Sequence, residues 1–363
     1  MKAAIVFGTR PEIIKLAPVI EALERNEYVL IHTGQHYDYE MDRIFFEELG
    51  LPEPDYNLHV GSGTHAVQTG KAMMGVEKIV MREKPDVTVV HGDTNAALSG
   101  ALASAKVQVP VAHVEAGLRS NNRRMPEEIN RVVVDHVSEI LFTSTELARK
   151  NLLREGIPEE RIYVVGNTVV DAVLRHSKTA DARSKILKDL GIEGEEYAVV
   201  TAHRAENVDT KENLEKLVEI ILSIPITVVY PMHPRTEKML KLHGLWDRLQ
   251  SAENVVITKP LGYFDFLKLL KHARFVMTDS GGVQEEAVTL KVPCITLRNS
   301  TERPETLETG YNVLVGLDVD RAKKMVDKVL DGGEFRTDLK RAKNPLGDGR
   351  AGQRIAETLR EYF

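Results

Sequence analysis

The stretch KAAIVFGTRPEIIKLAP at residues 2–18 contains the structural unit that repeats through this chain. Its apolar run, Lys2–Phe7, predicts a buried strand that ends at Gly8. Pro11 then predicts the start of a helix, because proline is favoured at a first helical position. Apolar residues follow at helical spacing: Ile13, Ile14, Leu16, Ala17, Ile20 and Leu23. The stretch therefore predicts a strand, a tight turn and an amphipathic helix.

The same alternation continues to both sides of a charged stretch near residues 166–195. Before it, strands are predicted at Tyr28–His32, Asp86–His91, Val111–Val114, Ile140–Thr143 and Tyr163–Val165. After it, they are predicted at Tyr197–Thr201, Thr227–Tyr230, Val255–Thr258, Arg274–Thr278 and Cys294–Leu297. Continuous apolar strands joined by helices are typical of parallel sheets covered on both faces. We expect two α/β domains, residues 1–168 and 169–348, and a final amphipathic helix at 349–363.

Length and composition narrow the class of protein. A chain of 363 residues fits about two domains. Its 48 Lys+Arg against 54 Asp+Glu give a net charge of −6, which argues against nucleic acid or an anionic membrane as partner. A single cysteine, Cys294, excludes an intramolecular disulfide and a cysteine metal cage. With no apolar stretch near the ~18 residues of a membrane span and no signal-peptide pattern, we expect a cytoplasmic protein.

Polar residues follow nearly every predicted strand. Ligands of open α/β sheets bind at the carboxyl ends of the strands. In the first domain these positions hold Gly8–Arg10, Gly34–His36, Gly92–Thr94 and Glu115–Gly117. In the second they hold His203–Asn207, His233 and Asp279–Gly282. We expect the two edges to face each other across an interdomain cleft that binds a ligand.

The segment TDSGGVQEE at residues 278–286 predicts an anion site. A strand ends, Gly281 and Gly282 allow close backbone approach, and a helix begins. The free N–H groups and positive dipole end of that helix would hold an anion such as a diphosphate. Glu286 could then accept both hydroxyls of a ribose. The alternative is that the two glycines only form a tight turn; neither a dinucleotide G-x-G-x-x-G fingerprint at a first strand nor a P-loop is present.

Four basic residues are candidates for phosphate contacts. Arg10 lies between the first strand and Pro11, so a phosphate bound there would also face the N-terminus of the first helix. Lys15 lies on the same helix, although taken alone it is more typical of a solvated charge. His203 and Arg204 are candidates because both side chains can donate to an anion.

Asp93, Glu115 and Glu127 form the acidic set. Asp93 and Glu115 end successive predicted strands, which would bring them near each other. Glu127 follows Pro126 in a predicted first helical turn, where an acid also complements the helix dipole. Neighbouring carboxylates separate each other's pKa values, so that one can hold a proton while another accepts one. Buried structural ion pairs are the alternative.

Two histidines, His91 and His113, precede the acids in HGD and HVE and resemble metal ligands. Strand alternation predicts His113 and Glu115 on the same face of the sheet, but no third ligand has a diagnostic spacing. We therefore expect no metal in the site.

The motifs occur together in one order, and in this the chain resembles the non-hydrolysing UDP-N-acetylglucosamine 2-epimerases. The similar segments are FGTRPEIIKLAP at 7–18, TGQH at 33–36, HGDT at 91–94, HVEAGLRS at 113–120, PEEINR at 126–131, TAHRAEN at 201–207, TDSGGVQEEA at 278–287 and RNSTERPE at 298–305. The resemblance implies a glycosyltransferase-B-like arrangement of two Rossmann-like domains, with the C-terminal helix returning to the first. It also implies reversible interconversion of UDP-GlcNAc and UDP-ManNAc, usually by a homodimer.

The resemblance also assigns roles to residues. The three catalytic acids fall on Asp93, Glu115 and Glu127, the last resting on how the Pro-Glu-Glu segment is aligned with Glu128. A phosphate-contacting histidine falls on His203. Contacts to UDP fall on Arg10, Ser280, Gly281, Gly282 and Glu286, with Phe266 on the uracil side. Gln35 and His36 match part of a second, allosteric site for UDP-GlcNAc.

Two departures from the family pattern concern the nucleotide region. Ala205 stands where the family usually has arginine, which removes one cation. The loop Ser120–Met125 is shorter than in bacterial members and carries Arg123 and Arg124, which could change binding at the second site.

The chemistry of such a reaction constrains the site. The hydrogen at C2 of the sugar is not adjacent to a carbonyl and is weakly acidic, but expelling UDP from C1 builds positive charge and acidifies it. Elimination gives a 2-acetamidoglucal, and protonation from the other face with re-addition of UDP inverts C2. This needs acid–base groups on both faces and a diphosphate clamp, but no cofactor. The alternatives are a hydrolysing epimerase that releases ManNAc and UDP, a glycosyltransferase on the same fold, and a non-catalytic nucleotide-sugar sensor.

Overall fold

The computed structural model describes residues 1–34, 45–331 and 343–363. The chain divides into two compact units: Met1–Ala172 with Leu346–Phe363, and Val173–Pro345. The sequence predicts these divisions at 168/169 and 348/349. The first boundary of the structure, between Ala172 and Val173, lies inside one helix, Thr168–Arg183, within the charged stretch near residues 166–195.

The first unit is built on a parallel sheet of seven strands in the order β3-β2-β1-β4-β5-β6-β7. The strands are β1 Ala3–Phe7, β2 Tyr28–His32, β3 Tyr56–Asn57, β4 Val87–His91, β5 Val111–Ala116, β6 Ile140–Thr143 and β7 Ile162–Val164. The helices are Arg10–Ala22, residues 45–49, His65–Glu83, Asn95–Lys106, Pro126–Val137, Glu146–Arg154, the start of Thr168–Arg183, and Ala351–Tyr362.

Helices cover both faces of this sheet, and two of them approach closely at small residues. On one face Gly100 of the helix Asn95–Lys106 packs against Val6 and Val90, where a Cβ would lie 2.9 Å from the Val90 side chain. Elsewhere in the unit, the C-terminal helix Ala351–Tyr362 packs on Arg10–Ala22. A Cβ on Gly352 would lie 2.5 Å from the carbonyl oxygen of Pro18. The end of the chain is thus packed into the first unit.

The second unit is built on a parallel sheet of six strands in the order β10-β9-β8-β11-β12-β13. The strands are β8 Tyr197–Thr201, β9 Thr227–Pro231, β10 Val255–Thr258, β11 Phe275–Thr278, β12 Cys294–Thr296 and β13 Asn312–Leu314. The helices are Ile186–Asp189, Ala205–Val208, Lys211–Leu222, Pro234–Leu242, Trp246–Gln250, Tyr263–His272, Gly281–Leu290, Glu305–Glu308 and Val319–Leu330.

The predicted fold class, two parallel-sheet α/β domains, is confirmed. Two short strands, β3 and β13, were not predicted from the sequence. The predicted strand Val111–Val114 is longer in the structure, since β5 continues through Glu115 to Ala116. Among the helices of the described ranges, none combines the length and the apolar character needed to cross a membrane.

Candidate active site

Glu115 lies on an irregular part of β5. The register of pairing with β6 shifts between Val114 and Ala116, and Glu115 itself has a φ of 69°, in the left-handed region that non-glycine residues rarely adopt. Its Oε2 accepts a hydrogen bond from Nζ of Lys15 and lies 3.6 Å from Nε2 of His91. The bulge therefore directs a largely buried carboxylate toward a lysine and a histidine of two other elements.

The same bulge makes one expectation wrong. Strand alternation predicted that His113 and Glu115 share a face of the sheet. In the structure His113 contacts Asp135 on the helix Pro126–Val137, whereas Glu115 contacts Lys15 on the helix Arg10–Ala22. The extra residue at the bulge turns Glu115 away from the side that alternation assigns to it.

Lys15 is buried, with 6% of its surface exposed. The expectation that this lysine, taken alone, is a solvated charge is therefore wrong. Burying an unpaired ammonium is unfavourable, and the ion pair with Glu115 offsets that cost. The pair joins residues 100 positions apart, so helical periodicity could not reveal it.

Asp93 follows β4 at the same edge, one residue after the positive-φ Gly92. Arg131 donates from Nε and Nη2 to its Oδ2, at 2.9 and 2.7 Å. Asn130 donates from Nδ2 to its backbone oxygen at 2.8 Å. The aspartate is thus fixed through both its side chain and its main chain by the helix Pro126–Val137.

The two glutamates at the start of that helix differ in environment. Glu127 is exposed in the first turn. Glu128 is buried, and its carboxylate accepts hydrogen bonds from Ser120, Asn121 and Arg131. Burial alone would raise the pKa of Glu128, but the hydrogen bonds from Ser120 and the charge of Arg131 outweigh it and lower the pKa. Glu128 is an anchored structural acid, and Glu127 is the one that faces solvent.

Glu12 is a buried acid of this edge that was not predicted as a site residue. Its Oε2 accepts hydrogen bonds from the amides of Gly8 and Thr9 at 3.1 and 2.8 Å, and its Oε1 accepts one from the Thr94 hydroxyl at 2.8 Å. Burial raises the pKa of Glu12. The Thr9-x-x-Glu12 spacing of a capping box was the available signal. The carboxyl group of Glu12 therefore already occupies part of the helix start where Arg10 was expected to present a phosphate.

Arg10 begins this helix, and its guanidinium lies 5.6 Å from the centroid of the Phe45 ring. Gln35 and His36, predicted to belong to a second site, lie outside the described residues.

Asp279 is the centre of the corresponding edge in the second unit. It is fully buried, and its carboxylate accepts hydrogen bonds from the amides of His203 and Arg204 and from Nδ2 of Asn207, each at 2.9 to 3.0 Å through Oδ2. Arg204 also donates from Nε to the Asp279 carbonyl at 2.8 Å. This aspartate directly follows β11 and holds the loop after β8 against that strand, a role that the sequence did not show.

His203 is 41% exposed and stacks on His233, with ring centroids 5.3 Å apart. Its Nδ1 lies 3.4 Å from Oδ1 of Asp279. The imidazole is therefore held on one side while its outer edge remains accessible.

Ser280, Gly281 and Gly282 form the start of the helix Gly281–Leu290, with Ser280 as the N-cap residue. A Cβ on Gly281 would lie 2.6 Å from Nη1 of Arg303. On Gly282 the nearest atom to such a Cβ, outside its neighbours, is Oγ of Ser280 at 4.0 Å. Gly281 is thus required by the packing of Arg303, whereas packing within the described part of the chain does not explain Gly282.

Arg303 was not among the predicted site residues, although it lies in RNSTERPE. It is buried, forms an ion pair with Glu285, and has Nη1 3.4 Å from Oε2 of Glu302. Arg298 binds both oxygens of Glu302, at 2.9 and 2.8 Å. Burial would raise the pKa of Glu302, but the hydrogen bonds from Arg298 and the charge of Arg303 hold it far below its ordinary value.

Glu286 and Phe266 lie near the same helix. Glu286 is buried within Gly281–Leu290, and its charge acts on the buried phenol of Tyr263, whose pKa is raised, chiefly by burial. Phe266 is half-buried and packs against the apolar cluster that includes Leu269 and Ala287. Within the described ranges, no group of three or more His, Cys, Asp or Glu side chains is arranged to hold a metal ion.

These two edges define a class of α/β protein in which carboxylates held by basic side chains, and a helix start packed on an arginine, lie at the carboxyl ends of parallel strands. The chain belongs to the UDP-N-acetylglucosamine 2-epimerase family, whose model matches residues 20–360.

Individual relatives match over nearly the whole chain. A UDP-N-acetylglucosamine 2-epimerase of Methanocaldococcus jannaschii is 52% identical, covering 99% of each chain. A crystal structure of the epimerase of that organism, in complex with UDP-GlcNAc and UDP, is similar with a TM-score of 0.92 and 51% identity over 99% of this chain and 100% of that one. A UDP-2,3-diacetamido-2,3-dideoxy-D-glucuronate 2-epimerase of Pseudomonas aeruginosa is 40% identical, again covering 99% of each chain.

Proposed function

We propose that this protein interconverts UDP-GlcNAc and UDP-ManNAc by eliminating UDP and adding it back, without net hydrolysis. One observation carries the proposal: each unit presents half of the required chemistry at the carboxyl edge of its sheet. The first unit supplies the carboxylates, and the second supplies a helix N-terminus backed by an arginine. The M. jannaschii relative, which was crystallised with UDP-GlcNAc and UDP, supports the choice of substrate.

The reaction needs a proton to leave C2 on one face of the sugar and to return on the other. We propose that Asp93, Glu115 and Glu127 share these transfers. Arg131 occupies Oδ2 of Asp93, and Lys15 binds Oε2 of Glu115, so each carboxylate is held in one orientation. Fixed orientation favours proton transfer, because the donor and acceptor atoms must come within hydrogen-bond reach.

The departing UDP must be stabilised and kept. We propose that the amides at Ser280, Gly281 and Gly282 bind the diphosphate, since the first amides of a helix lack partners and its dipole favours negative charge. Arg303, packed against Gly281 and paired with Glu285, holds this helix start in place. The other cationic contacts that we propose are Arg10, Lys15, His203 and Arg204, with Glu286 on the ribose and Phe266 near the uracil.

Proton NMR of UDP-GlcNAc with the purified protein in D₂O and a chelator tests the proposal. We expect the UDP-ManNAc signals to appear, deuterium to enter at C2 of both sugars, and free UDP not to accumulate. Asp93→Asn is the control, since it should leave the fold intact and stop both changes.

The alternatives give different spectra. Free ManNAc accumulating with UDP would identify a hydrolysing epimerase, and turnover only with an added acceptor would identify a glycosyltransferase. An unchanged ligand after long incubation would indicate a sensor. If the diacetamido-glucuronate analogue turned over and UDP-GlcNAc did not, the reaction type would stand and the substrate would be wrong.

We also propose a homodimer. The helix His65–Glu83 carries Val67, Met74 and Met81 at a seven-residue spacing, 46, 57 and 61% exposed. Side chains at that spacing share one helix face, and such an apolar stripe is typical of a surface that packs on another helix. A cytoplasmic location and a second site at Gln35 and His36 stay predictions.

A further inference from the structure

His113 is a buried histidine of the HVE motif to which the proposed reaction gives no role. It lies on β5, two residues before Glu115, and none of its surface is exposed. Its Nδ1 lies 2.7 Å from Oδ1 of Asp135, and its Nε2 lies 2.8 Å from the carbonyl oxygen of Gly92. The imidazole therefore connects the strand that bears Glu115 to the turn that bears Asp93.

Both partners of the ring are acceptors. A carbonyl oxygen can only accept, and Asp135 can donate to the ring only if its carboxyl group carries a proton. The other oxygen of Asp135 accepts from Nη1 of Arg119 at 2.7 Å and from the Gly117 amide at 3.2 Å. These donors favour the ionised carboxylate, because hydrogen bonds to the charged form stabilise it. Two acceptors require two ring protons, which makes His113 an imidazolium.

The hydrogen bond to Gly92 fixes the turn before Asp93. The Gly92 amide donates to the Val114 carbonyl at 2.9 Å, so both main-chain polar groups of Gly92 are held by neighbours of Glu115. Gly92 has a φ of +65°. Glycine adopts positive and negative φ values about equally readily, so the residue itself does not hold the turn in this conformation. Without the His113 bond, the carbonyl would be a buried acceptor without its donor, and the turn would be free to reorient.

We propose that His113 is a positioning residue of the reaction: as a doubly protonated ring held by Asp135, it fixes the Gly92 carbonyl and thereby sets Asp93 relative to Glu115. The inference rests on the proposed function, in which both carboxylates exchange a proton with the substrate. It assigns no contact between His113 and the substrate.

Two substitutions distinguish the hydrogen bond of the His113 ring to Gly92 from its hydrogen bond to Asp135. The amide of His113→Gln reaches the position of Nε2 and can still donate to Gly92, whereas the amide of His113→Asn reaches only the position of Nδ1, near Asp135. We expect His113→Asn to lower kcat about 10- to 100-fold with KM nearly unchanged. Displacing a catalytic group by about 1 Å has an effect of this size. We expect His113→Gln to recover most of that loss. His136→Asn, at an exposed histidine one residue after Asp135, is the matched control and should match the wild type.

Equal kcat values for the Asn and Gln variants, or a wild-type kcat for His113→Asn, would overturn the proposal. Long-range ¹H–¹⁵N NMR of the wild-type protein at the assay pH gives a second measurement that does not depend on any variant folding. Two protons on the His113 ring are expected, and a neutral ring would overturn the proposal. If the wild-type protein showed no epimerisation, the proposed function would be wrong, and the ring measurement would still decide the state of His113.

Discussion

Gly281 and Gly282 are adjacent glycines that should respond in opposite ways to the same substitution. In Gly281→Ala the new methyl group would lie 2.6 Å from Nη1 and 2.9 Å from Cζ of Arg303. Carbon atoms in contact are normally about 3.5–4.0 Å from such neighbours, so the guanidinium would have to move by close to 1 Å. Because Arg303 is buried between Glu285 and Glu302, it has no free direction in which to move.

The magnitudes follow from these contacts. Overpacking a buried site costs about 1–3 kcal/mol, which exceeds the gain of at most about 1 kcal/mol from replacing glycine by alanine in a helix. Gly281→Ala should therefore destabilise the second unit. In Gly282→Ala the methyl group meets only Oγ of Ser280 at 4.0 Å, so stability should be unchanged or slightly higher. If the diphosphate packs on Gly282, UDP affinity should fall at least about tenfold, or about 1.4 kcal/mol.

The single tryptophan, Trp246, lies in the second unit and reports on its unfolding. Urea titrations followed by its fluorescence measure stability, and calorimetric titration with UDP measures affinity. A Gly281→Ala protein as stable as the wild type would contradict the packing argument. A Gly282→Ala protein with wild-type UDP affinity would show that the diphosphate is not bound at this helix start.

Three further predictions test other parts of the molecule. Asp93→Asn should lower turnover by about 100-fold or more while UDP affinity stays within about a factor of three, and wild-type turnover would remove Asp93 from the catalytic set. Burial, with the charge of a neighbouring arginine, lowers the pKa of His176 to about 4. The unfolded chain takes up that proton first, near pH 6.5, so stability of the second unit should fall by up to about 3 kcal/mol as the pH drops from about 6.5 to 4. In His176→Gln, the free energy of unfolding measured in urea should depend less on pH between about 6.5 and 4. The same dependence on pH as in the wild type would contradict this role of His176. Replacing Val67, Met74 and Met81 by glutamine should convert a dimer to a monomer in analytical ultracentrifugation, whereas an unchanged mass would place the interface elsewhere.

The sequence predicted the parts of the fold that depend on local pattern. Apolar runs such as Lys2–Phe7 predict the central strands, because a strand that is buried on both faces is apolar along nearly its whole length. The strand β3 has only two residues, too few to form such a run, and β13 is an edge strand in which only Asn312 is buried. The bulge at Glu115 involves a positive φ at that residue. Glutamate rarely adopts such a conformation, so the sequence does not predict the bulge.

The candidate site was predictable to the extent that its residues follow strands. Asp93, Glu115, His203 and Ser280 were predicted as site residues because the carboxyl ends of parallel strands are known ligand positions. The partners of these residues were not found, since Lys15 and Glu115 are 100 positions apart in the sequence. Arg303 was missed for the same reason, because its contact with Gly281 depends on the packing of a later loop.

The sequence of the helix Pro126–Val137 contains a pattern from which buried ion pairs could have been predicted. Glu128, Arg131 and Asp135 recur at intervals of three and four residues and so lie on one face, and all three are buried. A buried charged stripe on a helix is unfavourable unless each member is paired. Here Arg131 pairs with both Glu128 and Asp93, and Asp135 pairs with His113.

That stripe fixes the surroundings of Asp93, one of the three carboxylates of the proposed reaction. Its pairs leave Asp93 31% exposed with one oxygen bound by Arg131, while Glu115 is 8% exposed beside Lys15 and Glu127 faces solvent. The three carboxylates therefore differ in their exposure and in the side chains that hold them. We propose that this difference in surroundings lets them take different parts when the proton leaves one face of the sugar and returns on the other. The helix therefore contributes to the proposed chemistry through the environments it sets, although only its first turn carries a candidate catalytic acid.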